Sequence, residues 1–379
     1  MARMAPGPLS ESAGEVFAQL AALVRATRPQ LATACALSKP TVSAAMAELE
    51  AAGLVERDGT AHGSTGRSAA VYRLALAAGY VLAVDRGSTQ VSFRAIALDG
   101  SLLDEGQTAQ LDRDLSLIQA ALTRRTEERP LRAVVVAVSD VVLPDPAADA
   151  ATAERVAKAV ASLRLPRDVP VAVENNVNCA AIAELHDGGD GATSGVGRSR
   201  DTFVYLQVGV GIGAGIVIGR RLLRGRNGAA GEVARLAYPW ADGHTPGHEA
   251  LEARLGSPGL MRQVGAVWQK GDGPLPQDPE AVFALAAEGH ARAAALVAEH
   301  AAEVGKLAAS LTAVLDPGLV ILGGGVGRNP LLTDGVRRTL AALSWPTKVE
   351  VSRLGERATV LGAAHLAREH GVNTVVTGA

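Results

Sequence analysis

Three segments near the N-terminus carry apolar residues at the spacing of a helix with one buried face. The predicted helices cover residues 11–27, 30–35 and 39–52. After Gly53 the pattern changes to the alternation that is typical of strands. Leu54–Arg57 and Ala69–Leu74 form a predicted hairpin, with the turn-rich loop Gly59–Gly66 between them. Helix, helix, turn, helix and hairpin in this order predict a winged helix-turn-helix domain over residues 1–76.

The start of the third predicted helix has the features of a helix that lies in the major groove of DNA. Ser38 is a good N-cap residue, and Pro40 fits the first turn that follows. The face opposite the apolar stripe carries a lysine and small side chains, which suit close contact with a groove. We therefore predict DNA contacts from Ser38, Lys39, Pro40, Thr41 and Ser43, and from Arg67 as a minor-groove finger beside the hairpin turn.

Two alternatives stay open for this region. It can be a small helical domain that binds another protein, and Arg67 can be an ordinary surface arginine. The third helix also offers few base-reading side chains, since Ala44 and Ala45 provide only methyl groups. Ala36 occupies the turn before this helix, where glycine is usual, and a positive φ there would cost about 1 kcal/mol.

Residues 77–379 follow a different pattern, in which short apolar strands run into glycine-rich turns. Three such strands are Tyr80–Asp85, Phe203–Val208 and Leu319–Leu322. The turns after them allow backbone N–H groups to approach a phosphate or a nucleotide. Two hairpin halves, each followed by helices, predict a duplicated α/β fold of two lobes around a cleft. For any one of these motifs taken alone, a tight turn without a ligand is the alternative.

Composition narrows the classes of protein that fit this pattern. The chain has 379 residues, 48% hydrophobic and 20% charged, which is ordinary for a globular protein of two or three domains. It lacks an apolar run of membrane-spanning length and a signal-peptide pattern, so a cytoplasmic location without membrane contact is expected. The net charge is -2, and residues 1–78 hold seven Lys/Arg against six Asp/Glu. DNA contact must therefore depend on where single charges lie. Cys35 and Cys179 lie in apolar segments and are expected to be buried free thiols.

In their order and spacing, the motifs of this chain resemble the ROK family of bacterial sugar kinases and winged-helix transcriptional regulators. The matching segments are Leu37–Ser43, Gly66-Arg67, Asp85–Thr89, Glu174–Asn178, Arg224–Glu232 and Gly323–Val326. The resemblance implies an actin-like, ribonuclease-H-like sugar-kinase fold over residues 77–379. It implies vestigial nucleotide contacts at Asp85, Gly87, Thr89, Gly209, Gly211, Gly323 and Gly324. It implies effector contacts at Asn175, Glu232 and Glu252, which match the family's polar sugar contacts. We predict further effector contacts at Asn176 and Arg235, where the chain departs from the family.

The chain departs from the family pattern at the positions that carry chemistry. The family's catalytic aspartate falls on Asn176, and an amide cannot take a proton from a sugar hydroxyl. A phosphate-binding threonine falls on Val210, and a sugar-binding histidine falls on Arg235. The family's three zinc cysteines have no counterpart, and His244 and His248 cannot complete a tetrahedral site by themselves. We therefore predict no catalytic residue, no metal and no cofactor.

The sequence as a whole predicts a DNA-binding transcriptional regulator, a repressor, with an inactive kinase-like domain for dimerisation and for sensing a sugar or an anionic sugar derivative. The planar donor fork of Arg235 suits a carboxylate or phosphate, while an ion pair of Arg235 with Glu232 that closes the pocket is the alternative.

The partners expected are an operator duplex and a second copy of the chain. The helical stretch Ala281–Leu315 is a candidate for the subunit interface or for packing within one chain. The competing functions are an ATP-dependent sugar kinase with a fused DNA-binding domain and a pseudo-kinase adaptor that binds proteins.

Overall fold

The computed structural model describes residues 7–62, 68–87, 90–109, 111–123, 128–186, 195–239, 242–247 and 249–378. The chain divides into two compact units. The first unit comprises Met1–Ser139, Glu154–Glu174 and Ala363–Ala379, and the second comprises Asp140–Ala153 and Asn175–Gly362.

The N-terminal part of the first unit contains three helices and a small antiparallel sheet. The helices are α1 (Glu11–Leu23), α2 (Arg28–Ala34) and α3 (Lys39–Ala51). The strands are β1 (Arg25–Thr27), β2 (Val55–His62) and β3 (Ser68–Leu74), in the order β1-β3-β2. Each helix begins at a capping side chain, because Ser10, Thr27 and Ser38 accept backbone N–H groups of the first turns.

Two predicted boundaries in this part are wrong. Helix α1 ends at Leu23 and does not reach Thr27, because Arg25–Thr27 pairs with β3 as a strand. Strand β2 continues to His62, so it takes in the start of the predicted loop, with a bulge between Arg57 and Thr60. Ala36 has a positive φ of 53°, so the strain considered for this turn is present.

The first unit also contains a five-stranded mixed sheet. Its strands are β4 (Tyr80–Arg86), β5 (Val91–Ala97), β6 (Leu102–Thr108), β7 (Leu131–Val138) and β8 (Val171–Asn175). The order is β6-β5-β4-β7-β8, with β4 antiparallel to β5 and parallel to β7. The helices of this region are α4 (Leu111–Leu122), α5 (Ala150–Ser162) and, at the C-terminus, α13 (Ala358–Thr377).

Arginine side chains connect α1 and the segment before β4 to other parts of the first unit. The guanidinium of Arg368 on α13 donates to the carbonyl of Leu98 at 2.7 Å and to the carbonyl of Ala21 on α1. Arg132 on β7 donates to the carbonyls of Ala77 and Ala78 in the connecting segment, at 2.7 and 2.9 Å. Helix α1 is therefore held to α13 by a direct contact, and the segment before β4 is held to β7.

The second unit is built on another five-stranded sheet. Its strands are β9 (Phe203–Val208), β10 (Ile212–Ile218), β11 (Arg221–Leu222), β12 (Leu319–Gly323) and β13 (Lys348–Val351), in the order β11-β10-β9-β12-β13. Its helices are α6 (Asn176–Leu185), α7 (Ala250–Leu255), α8 (Ser257–Val267), α9 (Pro279–Ala287), α10 (Ala291–Leu315), α11 (Gly324–Gly327) and α12 (Pro330–Leu343). Alternate residues of β9 enter two separate cores, one with α10 and α12 and one with α6.

The long helical stretch expected over Ala281–Leu315 is broken in the structure. Helix α9 ends at Ala287 and α10 starts at Ala291, with a bend of 115° between them. Gly289 has φ 89°, which ends the first helix, and His290 caps the second through its ring nitrogen. No single described helix is long and apolar enough to cross a membrane, and only the bent pair of α9 and α10 counted together meets that criterion.

Helix α10 buries a histidine in the core of the second unit. The side chain of His300 is 1% exposed, and both ring nitrogens lack a hydrogen-bond partner among the described residues. Burial lowers the pKa of His300 to about 4, with Glu303 opposing the shift and Arg254 adding to it. The imidazole is therefore neutral at physiological pH. Cys35 and Cys179 are free and buried, as expected.

Candidate functional site

The polar site in the second unit begins where β8 passes into α6. Asn175 is the N-cap of α6, and its side-chain oxygen accepts the N–H groups of Val177 and Asn178 at 2.8 and 3.1 Å. Its amide nitrogen donates to the carbonyl of Asp140 at 3.2 Å. The expected effector contact from Asn175 therefore has protein partners on both side-chain atoms, and the residue positions the first turn of α6.

Asn176 is the first residue of α6 and is half-buried. Its backbone carbonyl accepts a hydrogen bond from the Thr359 hydroxyl at 3.4 Å. No hydrogen bond joins its side-chain amide to another of the described residues. An amide here can accept one hydroxyl and donate to another, but it cannot act as a general base.

Glu232 lies close enough to three other carboxyl groups to feel their charge. Burial raises the pKa of Glu232, and the negative charges of Glu252, Asp140 and Glu249 raise it further. Only Arg235, three residues after Glu232 on a short 3-10 turn, opposes the shift. The site therefore combines hydrogen-bond acceptors for hydroxyl groups with one cation.

Arg235 is exposed and is not closed into an ion pair. The described ion pairs within 4.0 Å do not include Arg235 with Glu232, although the two charges interact at longer range. The alternative in which this pair closes the pocket is therefore not the arrangement observed. The guanidinium keeps its donor fork available for an anion.

The Glu252 side chain connects this site to the glycine-rich turn between β9 and β10. Its carboxylate accepts the N–H of Ile212 at 3.1 Å and lies against Gly211, where a Cβ atom would stand 2.7 Å from the Glu252 Oε2 atom. The carbonyl of Gly209 accepts the N–H of Ser257 at 2.7 Å. Glu252 and Ser257 therefore hold the turn in place through hydrogen bonds to its backbone. Its middle residue, Val210, is 46% exposed and has no side-chain group that can form a hydrogen bond.

The glycines after β12 are explained by close packing inside the second unit. A Cβ atom on Gly323 would overlap the hydroxyl of Tyr205. Gly324 has φ 80°, and a Cβ atom there would overlap the carbonyl of Val208. These positions need glycine whether or not a nucleotide binds, which favours the tight-turn interpretation for them.

Asp85 lies at the end of β4 in the first unit. It is 6% exposed, and one of its carboxylate oxygens lacks a hydrogen-bond partner among the described residues. Burial raises the pKa of Asp85 to about 7. Gly87 follows in the described chain, whereas Thr89, also expected at this site, lies outside the described residues.

The residues expected to contact DNA cluster at the start of α3. The Ser38 hydroxyl accepts the N–H of Thr41 at 3.2 Å and lies 2.7 Å from the Thr41 hydroxyl. Lys39, Pro40 and Ser43 are exposed beside them. The other expected contact, Arg67, lies outside the described residues.

Sequence reasoning missed a set of charged residues around α3. Arg28, Arg57 and Glu50 form ion pairs that join α2, β2 and α3. The signal available in the sequence was the alternation of charge in Glu56-Arg57-Asp58, but the partner on α3 could not be read from it.

The zinc site that the family resemblance implies, built on three cysteines, has no matching set of ligands in the described part of the chain. No group of three or more His, Cys, Asp or Glu in the described part of the chain could hold a metal ion. Of the two histidines in this segment, His244 has a ring nitrogen 3.1 Å from the carbonyl of Asp242, and His248 lies outside the described residues.

A family model described as "ROK family" matches residues 81–370, more than half of the chain. The chain belongs to the ROK family. The match covers the two five-stranded sheets, except for the first residue of β4, and begins after the N-terminal helices and their small sheet. It therefore accounts for the sugar-kinase-like fold and leaves residues 1–80 to be interpreted by themselves.

Curated ROK relatives include enzymes and a regulator. An N-acetylmannosamine kinase of Pasteurella multocida is 30% identical over 203 residues, which are 52% of this chain and 63% of that protein. A xylose repressor of Caldicellulosiruptor bescii is 28% identical over 211 residues, which are 52% of this chain and 51% of that protein. The bifunctional enzyme NanE/NanK of Brucella melitensis biotype 1 is 30% identical over 200 residues, 35% of its own length. The chain thus spans less than two thirds of each of these relatives.

Solved ROK structures share the fold at low sequence identity. A ROK family transcriptional regulator, a homologue of the Escherichia coli MLC protein, superimposes with a TM-score of 0.71 at 20% identity and covers 97% of this chain. A ROK family glucokinase from Streptomyces griseus, solved with glucose and AMPPNP, gives a TM-score of 0.60 at 24% identity and covers 77% of this chain. The likeness in fold extends further along this chain for the regulator.

Proposed function

We propose that this ROK protein is a DNA-binding transcriptional regulator that acts as a repressor. In this proposal residues 1–76 are a winged helix-turn-helix domain, and residues 77–379 form a kinase-like domain that does not phosphorylate. The observation that carries the proposal is the start of α3, where Ser38 caps the helix and Lys39, Pro40 and Ser43 are exposed together. An exposed helix start with small polar side chains is what a recognition helix presents to the major groove.

A dimer follows from the small number of base-reading groups on this helix. One helix with a single lysine and short side chains contacts too few base edges for tight specific binding. Two such helices, spaced by about one turn of DNA, double the contacts and read a palindromic site. Dimerisation through the kinase-like domain would supply that spacing.

The polar site in the second unit is proposed to sense a sugar or an anionic sugar derivative. Glu232 and Glu252 offer acceptors for sugar hydroxyls, and Asn176 offers both a donor and an acceptor. Arg235 places an exposed cation next to them, which suits a phosphate or carboxylate group on the ligand. The site would therefore bind a hydroxyl-rich ligand without phosphorylating it, because the Asn176 amide cannot take a proton from a ligand hydroxyl.

An active sugar kinase is the second candidate, because kinases are among the relatives at 30% identity. We expect the purified protein to show no ATP-dependent phosphorylation of common hexoses or of N-acetylmannosamine. We expect Asn176→Asp to stay inactive too, because Val210 leaves the phosphate side without a hydroxyl. A coupled ADP-release assay, with a ROK glucokinase as positive control, measures both. Turnover above about 1 per second by either form would contradict the proposal, since kinases typically reach that rate.

Removing the lysine at the start of α3 is expected to weaken DNA binding. Lys39→Gln should lower affinity for the duplex upstream of the protein's own gene about three- to tenfold, and reduce the slope of log K against log salt by about 1. Fluorescence anisotropy at several salt concentrations measures this. Lys158→Gln, which removes the same charge from an exposed ion pair on α5, is the matched control and should bind as the wild type does. Equal effects of the two changes, or no DNA binding by the wild type, would count against the proposal and favour an adaptor that binds proteins.

A further inference from the structure

Most of the cations in the described part of the proposed DNA-binding domain are paired with carboxylates. Residues 7–78 contain five Lys/Arg side chains within their described part. Four of them lie within 4.0 Å of a carboxylate, namely Arg25, Arg28, Arg57 and Arg73. Lys39 alone among the five has no such partner.

Glu50 accounts for the two pairs next to the recognition helix. It lies on α3, and its carboxylate is 3.4 Å from the guanidinium of Arg28 and 3.9 Å from that of Arg57. Arg28 is the first residue of α2 and also stacks over the ring of Tyr72 at 5.1 Å. The Glu50 carboxylate on α3 is therefore paired with two cations, Arg28 at the start of α2 and Arg57 on β2.

These pairs contribute little to the stability of the fold. Arg57 is 70% exposed and Glu50 33% exposed, and solvent screens ion pairs of this kind. Their effect on DNA binding is expected to be larger. Affinity for DNA of any sequence comes from cations that neutralise phosphates and release counterions. A cation that is already paired with a carboxylate contributes less to this non-specific affinity, and the carboxylate itself repels phosphates.

We propose that Glu50 is a specificity-determining residue that suppresses binding to DNA of arbitrary sequence. By holding Arg28 and Arg57, it leaves Lys39 and the polar groups at the start of α3 as the main source of affinity among the described residues of the domain. Binding then depends on contacts that read sequence, and the ratio of specific to non-specific affinity rises. This inference rests on the proposed function, because it assumes that the domain binds DNA.

The domain contains a second carboxylate that serves as a matched control. Glu56 pairs with Arg73 at 2.7 Å, on β2 and β3. This pair lines a pocket together with Leu74–Leu76 and Asp99, so it faces the rest of the first unit. Glu56→Gln therefore removes the same charge from the same domain at a position away from α3.

The experiment measures anisotropy of a labelled random-sequence duplex with the full-length protein between 50 and 200 mM KCl. Glu50→Gln is expected to raise affinity for the random duplex about tenfold at 100 mM and to steepen the salt slope by between about 1 and 2, for up to two freed cations. Glu56→Gln is expected to change the affinity less than about threefold. Circular dichroism and the thermal midpoint verify that each variant is folded.

A mutant cycle that combines Glu50→Gln with changes at Arg28 and Arg57 tests whether the effect depends on the ion pairs or only on the loss of a negative charge. Arg28→Gln with Arg57→Gln should lower random-duplex affinity strongly in the Glu50→Gln background and only slightly in the wild-type background. If the arginine changes have equal effects in both backgrounds, or if Glu56→Gln acts as strongly as Glu50→Gln, the inference is wrong. If the wild type binds DNA and Glu50→Gln leaves the slope unchanged, only this inference fails. If no form binds DNA at 50 mM KCl, the proposed function fails with it.

Discussion

Replacing Asp85 with asparagine is expected to stabilise the first unit at pH 8 by roughly 4 kcal/mol, and by progressively less as the pH falls towards 4. Asp85 is buried, and one of its oxygens lacks a partner among the described residues, so its ionised form is penalised in the folded state. Asparagine has a similar shape and carries no charge. The substitution therefore removes the penalty without creating a cavity.

The direction of the pH dependence follows from the two pKa values of Asp85. The pKa is about 7 in the folded protein and 3.8 when the group is free in solution. Between these values the folded state binds more protons than the unfolded state, so the contribution of Asp85 to stability falls as the pH rises. The full penalty is present above pH 7 and is absent below pH 3.8.

Native-state hydrogen exchange of the β4 and β5 amides measures this stability locally at pH 8 and pH 5. Asp334→Asn is the control, because its side chain is 76% exposed in an i,i+3 ion pair on α12. It should change stability by less than about 0.5 kcal/mol at either pH. A gain for Asp85→Asn that is equal at pH 8 and pH 5, or no gain at all, would show that the Asp85 charge is not the cause.

Replacing His300 with leucine is expected to have the opposite pH signature in the second unit. The pKa of His300 is lowered from 6.5 to about 4 by burial, so the unfolded state takes up a proton first as the pH falls. Stability that is present above pH 6.5 is therefore lost between pH 6.5 and pH 4. The wild type should lose about 2 kcal/mol by pH 5 through this residue, and His300→Leu should not.

The groups that face His300 oppose each other, since Glu303 favours the imidazolium and Arg254 disfavours it. Burial therefore decides the direction of the shift. Tryptophan fluorescence monitors the second unit selectively, because all three tryptophans of the chain fall within the sequence range 175–362 that this unit spans. His370→Gln, at an exposed position on α13, is the control and should retain the wild-type pH dependence. Acid sensitivity that persists in His300→Leu would assign the effect to another group.

Local signals in the sequence were enough for some elements and not for others. The start of α3 could be predicted because Ser38 and Pro40 act on the first turn that follows them. The end of α1 could not, because the chain leaves the helix to pair with β3, nearly fifty residues later. The break between α9 and α10 had a local signal in Gly289, which the alanine-rich pattern on both sides concealed.

The candidate site shows the same division. The position of Asn175 at a strand-to-helix junction is a typical N-cap signal, so its structural role was open to prediction. The approach of Asp140, Glu249 and Glu252 to Glu232 depends on segments more than fifteen residues away along the chain, and no local pattern encodes it. The pairing of Glu50 with Arg28 and Arg57 likewise needs the packing of three elements.

The contacts between α13 and the region of α1 cannot form until almost the whole chain has been synthesised. Leu9 donates to the carbonyl of Val376 at 3.0 Å, and Arg368 donates to Ala21. At 5–20 residues per second, a ribosome needs roughly half a minute to travel between these parts of the chain. During that time α1 lacks its contacts with α13, which is synthesised almost last. A message truncated before α13 would therefore yield an N-terminal domain without its support.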